Sequence, residues 1–191
     1  MTTGTPHYDL RRTVVLVGLM GCGKSAIGRA LAARLGAPFL DSDAELETAA
    51  NASIAEIFAR DGEAFFRDRE AEVIARLLRG APCILSTGGG AFLAQRNRTA
   101  ISKQGISVWL NADLDVLWDR VRHKNTRPLL RTPDPRATLA GLFEARKPIY
   151  ELADLHVRSE RSYSIAEMTD RVIDALVTRP DILKVSHDPT P

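Results

Sequence analysis

The residues with the clearest chemistry lie in one stretch of eight, Gly18-Leu19-Met20-Gly21-Cys22-Gly23-Lys24-Ser25. Two glycines five positions apart are followed by a lysine and a hydroxyl residue. Glycines let successive backbone N–H groups turn inward and form a concave nest for an anion. A helix beginning at the end of such a loop adds unpaired N–H groups and its positive dipole end. Lys24 would neutralise the β- and γ-phosphates of a bound nucleotide, and the Ser25 hydroxyl would coordinate Mg²⁺. The flanks suit this reading. The apolar run Val14-Val15-Leu16-Val17 precedes the loop, and the helical pattern Ala26–Leu35 follows it, which is the strand–loop–helix context of a P-loop.

Further residues could supply an acceptor site. Asp41-Ser42-Asp43 follows the second apolar run. Residues i and i+2 of an extended stretch point the same way, so both carboxylates are expected at the cleft, one on Mg²⁺ through water and one on an attacking hydroxyl. The plainer alternative is an N-cap pair for the next helix. Arg67 and Glu70 stand three apart on a helical pattern and share a face. That arrangement suits either a solvated surface pair or a guanidinium offered to a planar carboxylate. Ser86-Thr87-Gly88-Gly89-Gly90 closes the third apolar run, where many P-loop proteins carry an acid. Here three glycines would let backbone approach a small ligand, and help for Mg²⁺ must come from Asp41 and Ser25. Arg127 and Arg146 are either surface arginines beside prolines or groups for phosphate and carboxylate. The histidines are scattered without a triad or metal spacing, and Trp109 and Trp118 read as core.

Elements must carry these residues to one place. The short apolar runs Thr13–Val17, Pro38–Leu40, Cys83–Thr87, Ile106–Leu110 and Leu155–Val157 alternate with helical patterns. They lack clean alternation, as strands covered on both faces do. Capping boxes begin at Ser53 and Ser164. An amphipathic helix is expected over Glu63–Arg79, and further helices over Asp113–Arg122 and Ala137–Leu152. The series predicts a doubly wound α/β fold: a three-layer α/β/α sandwich on a parallel five-stranded sheet, with the P-loop after its first strand. One domain spans 1–191, with a core at 12–178. Residues 42–76 form a helical flap beside the cleft, and the basic, proline-rich 122–137 forms a mobile lid. The tails 1–11 and 180–191 are expected to be disordered.

Composition narrows the function classes. The 191 residues carry 26 basic and 24 acidic side chains, a net charge of +2, which argues against general nucleic-acid binding. The two cysteines, Cys22 and Cys83, have neither disulfide-framework nor metal-site spacing and suit a reducing compartment. No apolar run approaches the ~20 residues of a membrane span, and the polar start lacks a signal core. The expectation is a cytoplasmic monomer.

Taken in order, the motifs resemble the shikimate kinase family from Val14 to about Val177. They are GxxGxGKS at 18–25, Asp-Ser-Asp at 41–43, Phe-Arg-x-x-Glu at 66–70, Gly-Gly-Gly at 88–90, Arg-Pro-Leu-Leu at 127–130 and Arg-x-Pro-x-Tyr at 146–150. The resemblance implies transfer of a phosphoryl group from ATP to the 3-hydroxyl of shikimate, with one Mg²⁺ per subunit. It implies catalytic roles for Asp43, Lys24 and Arg127. It gives ATP to Gly21, Cys22, Gly23, Lys24, Ser25, Ala26, Arg120, Arg127 and Arg161. It gives shikimate to Asp43, Arg67, Gly88, Gly89, Gly90 and Arg146, and the metal to Ser25 and, through water, Asp41. Arg158–Arg161 departs from the family's usual adenine loop, and Ala26 replaces a common threonine. The remaining alternatives are a gluconate or nucleoside monophosphate kinase of the same architecture, or a non-catalytic nucleotide-binding module.

Overall fold

The computed structural model describes residues 6–124 and 128–187. Its main sheet has five parallel strands: β2 (Thr13–Val17), β3 (Phe39–Asp41), β4 (Ile84–Ser86), β5 (Gly105–Ala112) and β6 (Leu155–Ser159). Their spatial order is β3-β4-β2-β5-β6. The helices are α1 (Lys24–Leu35), α2 (Ser42–Ala50), α3 (Ile54–Leu78), α4 (Gln95–Gln104), α5 (Leu114–Val121), α6 (Pro135–Tyr150) and α7 (Ile165–Val177). Every residue of β2 is buried. Successive strand side chains point to opposite faces, so this central strand is covered on both, and the architecture is an α/β/α sandwich as expected.

The order matters for function. The chain leaves β2 through α1 toward β3 and β4 on one side, then crosses through α4 to β5 on the other. In open parallel sheets a ligand crevice forms beyond the strand carboxyl ends where the winding reverses. The loop at 18–23, the Asp41 end of β3 and the Ser86 end of β4 all emerge there.

Helix starts follow the sequence signals. Ser53 and Ser164 each accept from the backbone N–H three residues on, while Glu56 and Glu167 reach back to complete both capping boxes. The helix expected over Glu63–Arg79 is the second part of α3. Gly62, at φ +83° and ψ 174°, breaks that element just before it. Pro135 begins α6 at the position where its missing N–H costs nothing, and Asp134 caps that end. The 122–137 segment is thus partly regular: a 3₁₀ turn occupies Pro128–Leu130 and α6 takes its end.

The tails require a correction. Residues 6–11 and 180–187 are not without structure. Strand β1 (Pro6–Leu10) pairs antiparallel with β7 (Leu183–His187), from Pro6 opposite His187 to Leu10 opposite Leu183. The Arg11 N–H donates to the Ile182 carbonyl at 2.8 Å, and Ile182 and Leu183 are buried. Each segment alone looks polar and proline-rich, and only pairing across the whole chain gives its backbone partners. Residues 1–5 and 188–191 lie outside the described residues. Among the described residues, no helix is long and apolar enough to cross a membrane.

Candidate active site

The phosphate loop joins β2 to α1 by the conformation its glycines permit. Gly21 and Gly23 adopt φ of +84° and +99°, a region that side-chain-bearing residues rarely enter. Gly23 is the N-cap of α1 and supplies no side-chain cap, so the first N–H groups of the helix, at Lys24, Ser25 and Ala26, are free of side-chain capping. The Lys24 ammonium donates to the carbonyls of Gly18 at 2.7 Å and Leu19 at 3.3 Å, and stands 3.7 Å from the buried Cys22 Sγ. Ser25 Oγ donates to Asp41 Oδ2 at 3.5 Å.

Asp41 does cap the next helix, and it leaves its second oxygen toward the phosphate loop. Its Oδ1 caps α2 by accepting from the N–H groups of Asp43 at 3.0 Å and Ala44 at 3.3 Å, while Oδ2 faces Ser25. The shared extended stretch does not hold, because Asp43 already belongs to the first turn of α2. Helix geometry carries its carboxylate to the turn after β4 instead. A Cβ placed on Gly88 would lie 2.9 Å from Asp43 Oδ1. Burial pushes the Asp43 carboxyl up to about 6, helped by Asp41 and Glu70 and opposed by Lys24.

The three glycines at 88–90 are needed for room. None has a positive φ. A Cβ on Gly90 would stand 2.6 Å from Arg67 Nη2, and one on Gly89 would stand 3.6 Å from Arg146 Nη1. Asp43 from α2, Arg67 from α3 and Arg146 from α6 therefore converge on three consecutive glycines, one side chain to each. Thr87 is occupied in holding the turn to the sheet, since its hydroxyl donates to the Leu16 carbonyl at 3.1 Å.

Arg67 is set in place from three sides. It pairs with Glu70 at 2.9 Å and with Glu63 at 3.5 Å. Its carbonyl accepts from Arg96 Nη2 at 2.7 Å. The Glu70 side chain is only 2% exposed. Burial raises its pKa, and the hydrogen bond and charge of Arg67 oppose the rise. The pair at 67 and 70 is thus no solvated surface pair.

On the other flank, Arg120 donates to the Gly21 carbonyl at 3.4 Å and to Ser159 Oγ at 3.5 Å. It therefore touches both the phosphate loop and the end of β6. Arg161 is exposed and pairs with Asp119, the neighbour of Arg120. Arg127 lies outside the described residues.

Sequence reasoning missed Arg96, Ser159 and the hydroxyl of Tyr150, which donates to the Gly89 carbonyl. Arg96 and Ser159 leave no local trace, because their partners are far along the chain. Tyr150 carried one signal: it stands a helical turn beyond Arg146.

A strand, glycine loop and helix at the carboxyl edge of a parallel sheet, facing a carboxylate and two guanidiniums across a glycine turn, define a P-loop small-molecule kinase. The shikimate kinase family model matches residues 20–177. Among relatives, the shikimate kinase of Ruegeria pomeroyi is 71% identical over 177 residues, covering 93% of this chain and 91% of that protein. That of Cereibacter sphaeroides is 65% identical over 178 residues, covering 93% and 89%. Among solved structures, the shikimate kinase of Acinetobacter baumannii in complex with shikimate superposes with a TM-score of 0.81 at 34% identity, covering 87% of this chain and 93% of that one. The chain belongs to the shikimate kinase family.

Proposed function

We propose that this chain transfers the γ-phosphoryl group of ATP to the 3-hydroxyl of shikimate, giving shikimate 3-phosphate and ADP on the route to aromatic amino acids. The observation that carries the reading is the meeting of Asp43, Arg146 and Arg67 over Gly88, Gly89 and Gly90. A hydroxylated carboxylate needs planar cations for its carboxyl group and an acceptor for its reacting hydroxyl. Those three side chains supply both.

Each residue then has a task. Arg67 and Arg146 grip the carboxylate and so fix where the ring lies. Glu70 and Arg96 hold Arg67 in its orientation. Asp43 accepts a hydrogen bond from the 3-hydroxyl and takes its proton as the oxygen bonds to the γ-phosphorus. The bond from that phosphorus to the bridging oxygen breaks, and ADP carries away the electron pair. A carboxyl group at about 6 is mostly ionised at neutral pH and is a stronger base than an ordinary aspartate. The backbone of Gly21–Ala26 cradles the phosphates. Lys24 and Arg127 offset their charge in a loose transition state. Arg120 and Arg161 flank the adenine.

Mg²⁺ suits the oxygens at Ser25 and Asp41. Asp41 uses Oδ1 as a helix cap and presents Oδ2 to Ser25 Oγ at 3.5 Å. A hydroxyl and one carboxylate oxygen are the few hard ligands this ion takes from protein when phosphates and water complete its shell. When bound, it would neutralise phosphate charge. All these groups come from one chain, which supports action as a monomer, and the reading carries a cytoplasmic location.

A coupled assay of ADP release over shikimate, gluconate and nucleoside monophosphates tests the reading. Turnover is expected with shikimate. Strong turnover with another acceptor and none with shikimate would overturn it.

A further inference from the structure

We infer that Tyr150 is a positioning residue, whose hydroxyl pins the last turn of α6, and with it Arg146, to the Gly88–Gly90 turn. The inference rests on the proposed reading of that site and extends it to a residue that touches no substrate.

One hydrogen bond anchors the geometry. Tyr150 donates to the carbonyl of Gly89. The positive charge of Arg146 acts on the same phenol. The hydroxyl proton thus fastens the last turn of α6, which carries Arg146, to the glycine carbonyl. Gly89 is also the glycine facing Arg146, with the Gly18 carbonyl and the Met20 N–H of the phosphate loop 3.8 Å from the place a Cβ would take. One phenol therefore ties together the carboxylate-binding arginine, the acceptor turn and, through that turn, the flank of the phosphate loop.

Helix α6 makes this tie necessary. Arg146 and Tyr150 lie one turn apart and share a face. Pro148 sits between them inside the helix. It has no N–H to give to the preceding turn, and its ring crowds the carbonyl four residues back. The backbone ladder is therefore weakest where Arg146 must be held. Tyr150 compensates through its side chain. It is only 2% exposed and stacks on Trp109 of β5, ring centroids 6.1 Å apart at 26°. With Leu19, Cys22, Phe143 and Lys147 it lines a small apolar cavity. Burial pushes the phenol up to about 12, so the proton given to Gly89 stays in place at any pH where the protein works.

The test is Tyr150→Phe in the full chain, alone and combined with Arg146→Ala. The single variant should raise the KM for shikimate about tenfold, as loss of one well-made hydrogen bond can, with the KM for ATP within about twofold. In the Arg146→Ala background the same change should add little, because the tyrosine acts through that arginine. An equal rise in both KM values, or an effect on shikimate that persists undiminished without Arg146, overturns the proposal. So does an unchanged KM for shikimate in the single variant. Should the phenylalanine chain fail to fold, 3,5-difluorotyrosine at 150 keeps the shape and acidifies the phenol. The KM for shikimate should then climb in mildly alkaline solution, where the ordinary chain does not change, and a flat profile overturns the idea. Wild-type turnover of shikimate is measured alongside. Its absence would count against the proposed function, whereas its presence with an unaffected Tyr150→Phe counts against this inference alone.

Discussion

Two glycine-rich turns face each other across the cleft, and they are glycine for different reasons. In the phosphate loop, Gly21 and Gly23 hold positive φ angles, so the residue type serves backbone conformation. At 88–90 no φ is positive, and the residue type serves space for Asp43, Arg146 and Arg67. On the proposed reading, the first turn presents its own backbone to a phosphate, and the second steps aside so that side chains from three helices can present themselves to an acceptor. A backbone site can be written in eight consecutive residues; a side-chain site must be assembled from distant ones.

Variants can break or sharpen this contrast. The largest effect is expected at the proton acceptor. Asp43→Asn should lower turnover by about 10²- to 10⁴-fold, the usual contribution of a positioned base, while ATP binding followed by calorimetry stays near wild type. Because the carboxyl is raised to about 6, kcat/KM should fall as pH drops through that value and the base is protonated. The same shift acts on stability in the opposite sense. Between 3.8 and about 6 the folded chain holds a proton that the unfolded chain has released, so stability declines as pH rises through this window. Asp43→Asn removes that penalty and should stabilise the fold above pH 6 by at most about 3 kcal/mol, with no gain below pH 3.8. Thermal melts at both ends would expose a wrong sign.

Next in size is the conformational glycine. Gly23→Ala forces a Cβ onto a residue at φ +99°, at a strain of about 1–3 kcal/mol. It also shifts the loop that carries Lys24, so kcat/KM for ATP should fall about 10²-fold. The spatial glycine should fail differently. Gly90→Ala puts a methyl group 2.6 Å from Arg67 Nη2, and the guanidinium must move. The KM for shikimate should rise about tenfold with the KM for ATP unchanged, and equal losses on both substrates would blur the distinction drawn here. Gly89→Ala is the mildest. Its Cβ would meet Arg146 at an ordinary 3.6 Å, and each KM should stay within about twofold. A large effect there would mean that Gly89 is glycine for a reason other than room.

Legibility in the sequence follows the same division. The phosphate loop, the strand before it and the helix after it were readable from contiguous residues. So were both capping boxes, each a local bargain between a serine and a glutamate three residues on. Asp41 was readable as a cap or a ligand; its Oδ1 caps α2, and its Oδ2 points to Ser25. Asp43 reaches the cleft as expected, but from the first turn of α2 rather than an extended stretch, because the strand ends at Asp41 and helical geometry begins at once. The paired tails were missed, because neither strand has a partner within more than 170 residues of chain.

By itself the sequence determined the parallel α/β class, a phosphate site and the residue types that an acceptor carboxylate and hydroxyl require. Those follow from local periodicity, glycine spacing and the order of motifs. Only the tertiary structure decided that Asp43, Arg67 and Arg146 meet at a single turn, that Glu70 is buried behind Arg67, and that the Tyr150 hydroxyl reaches the Gly89 carbonyl. The reason is one of distance. Helices α2, α3 and α6 set the reach of their side chains by how they pack around the sheet, and no stretch of adjacent residues records that packing.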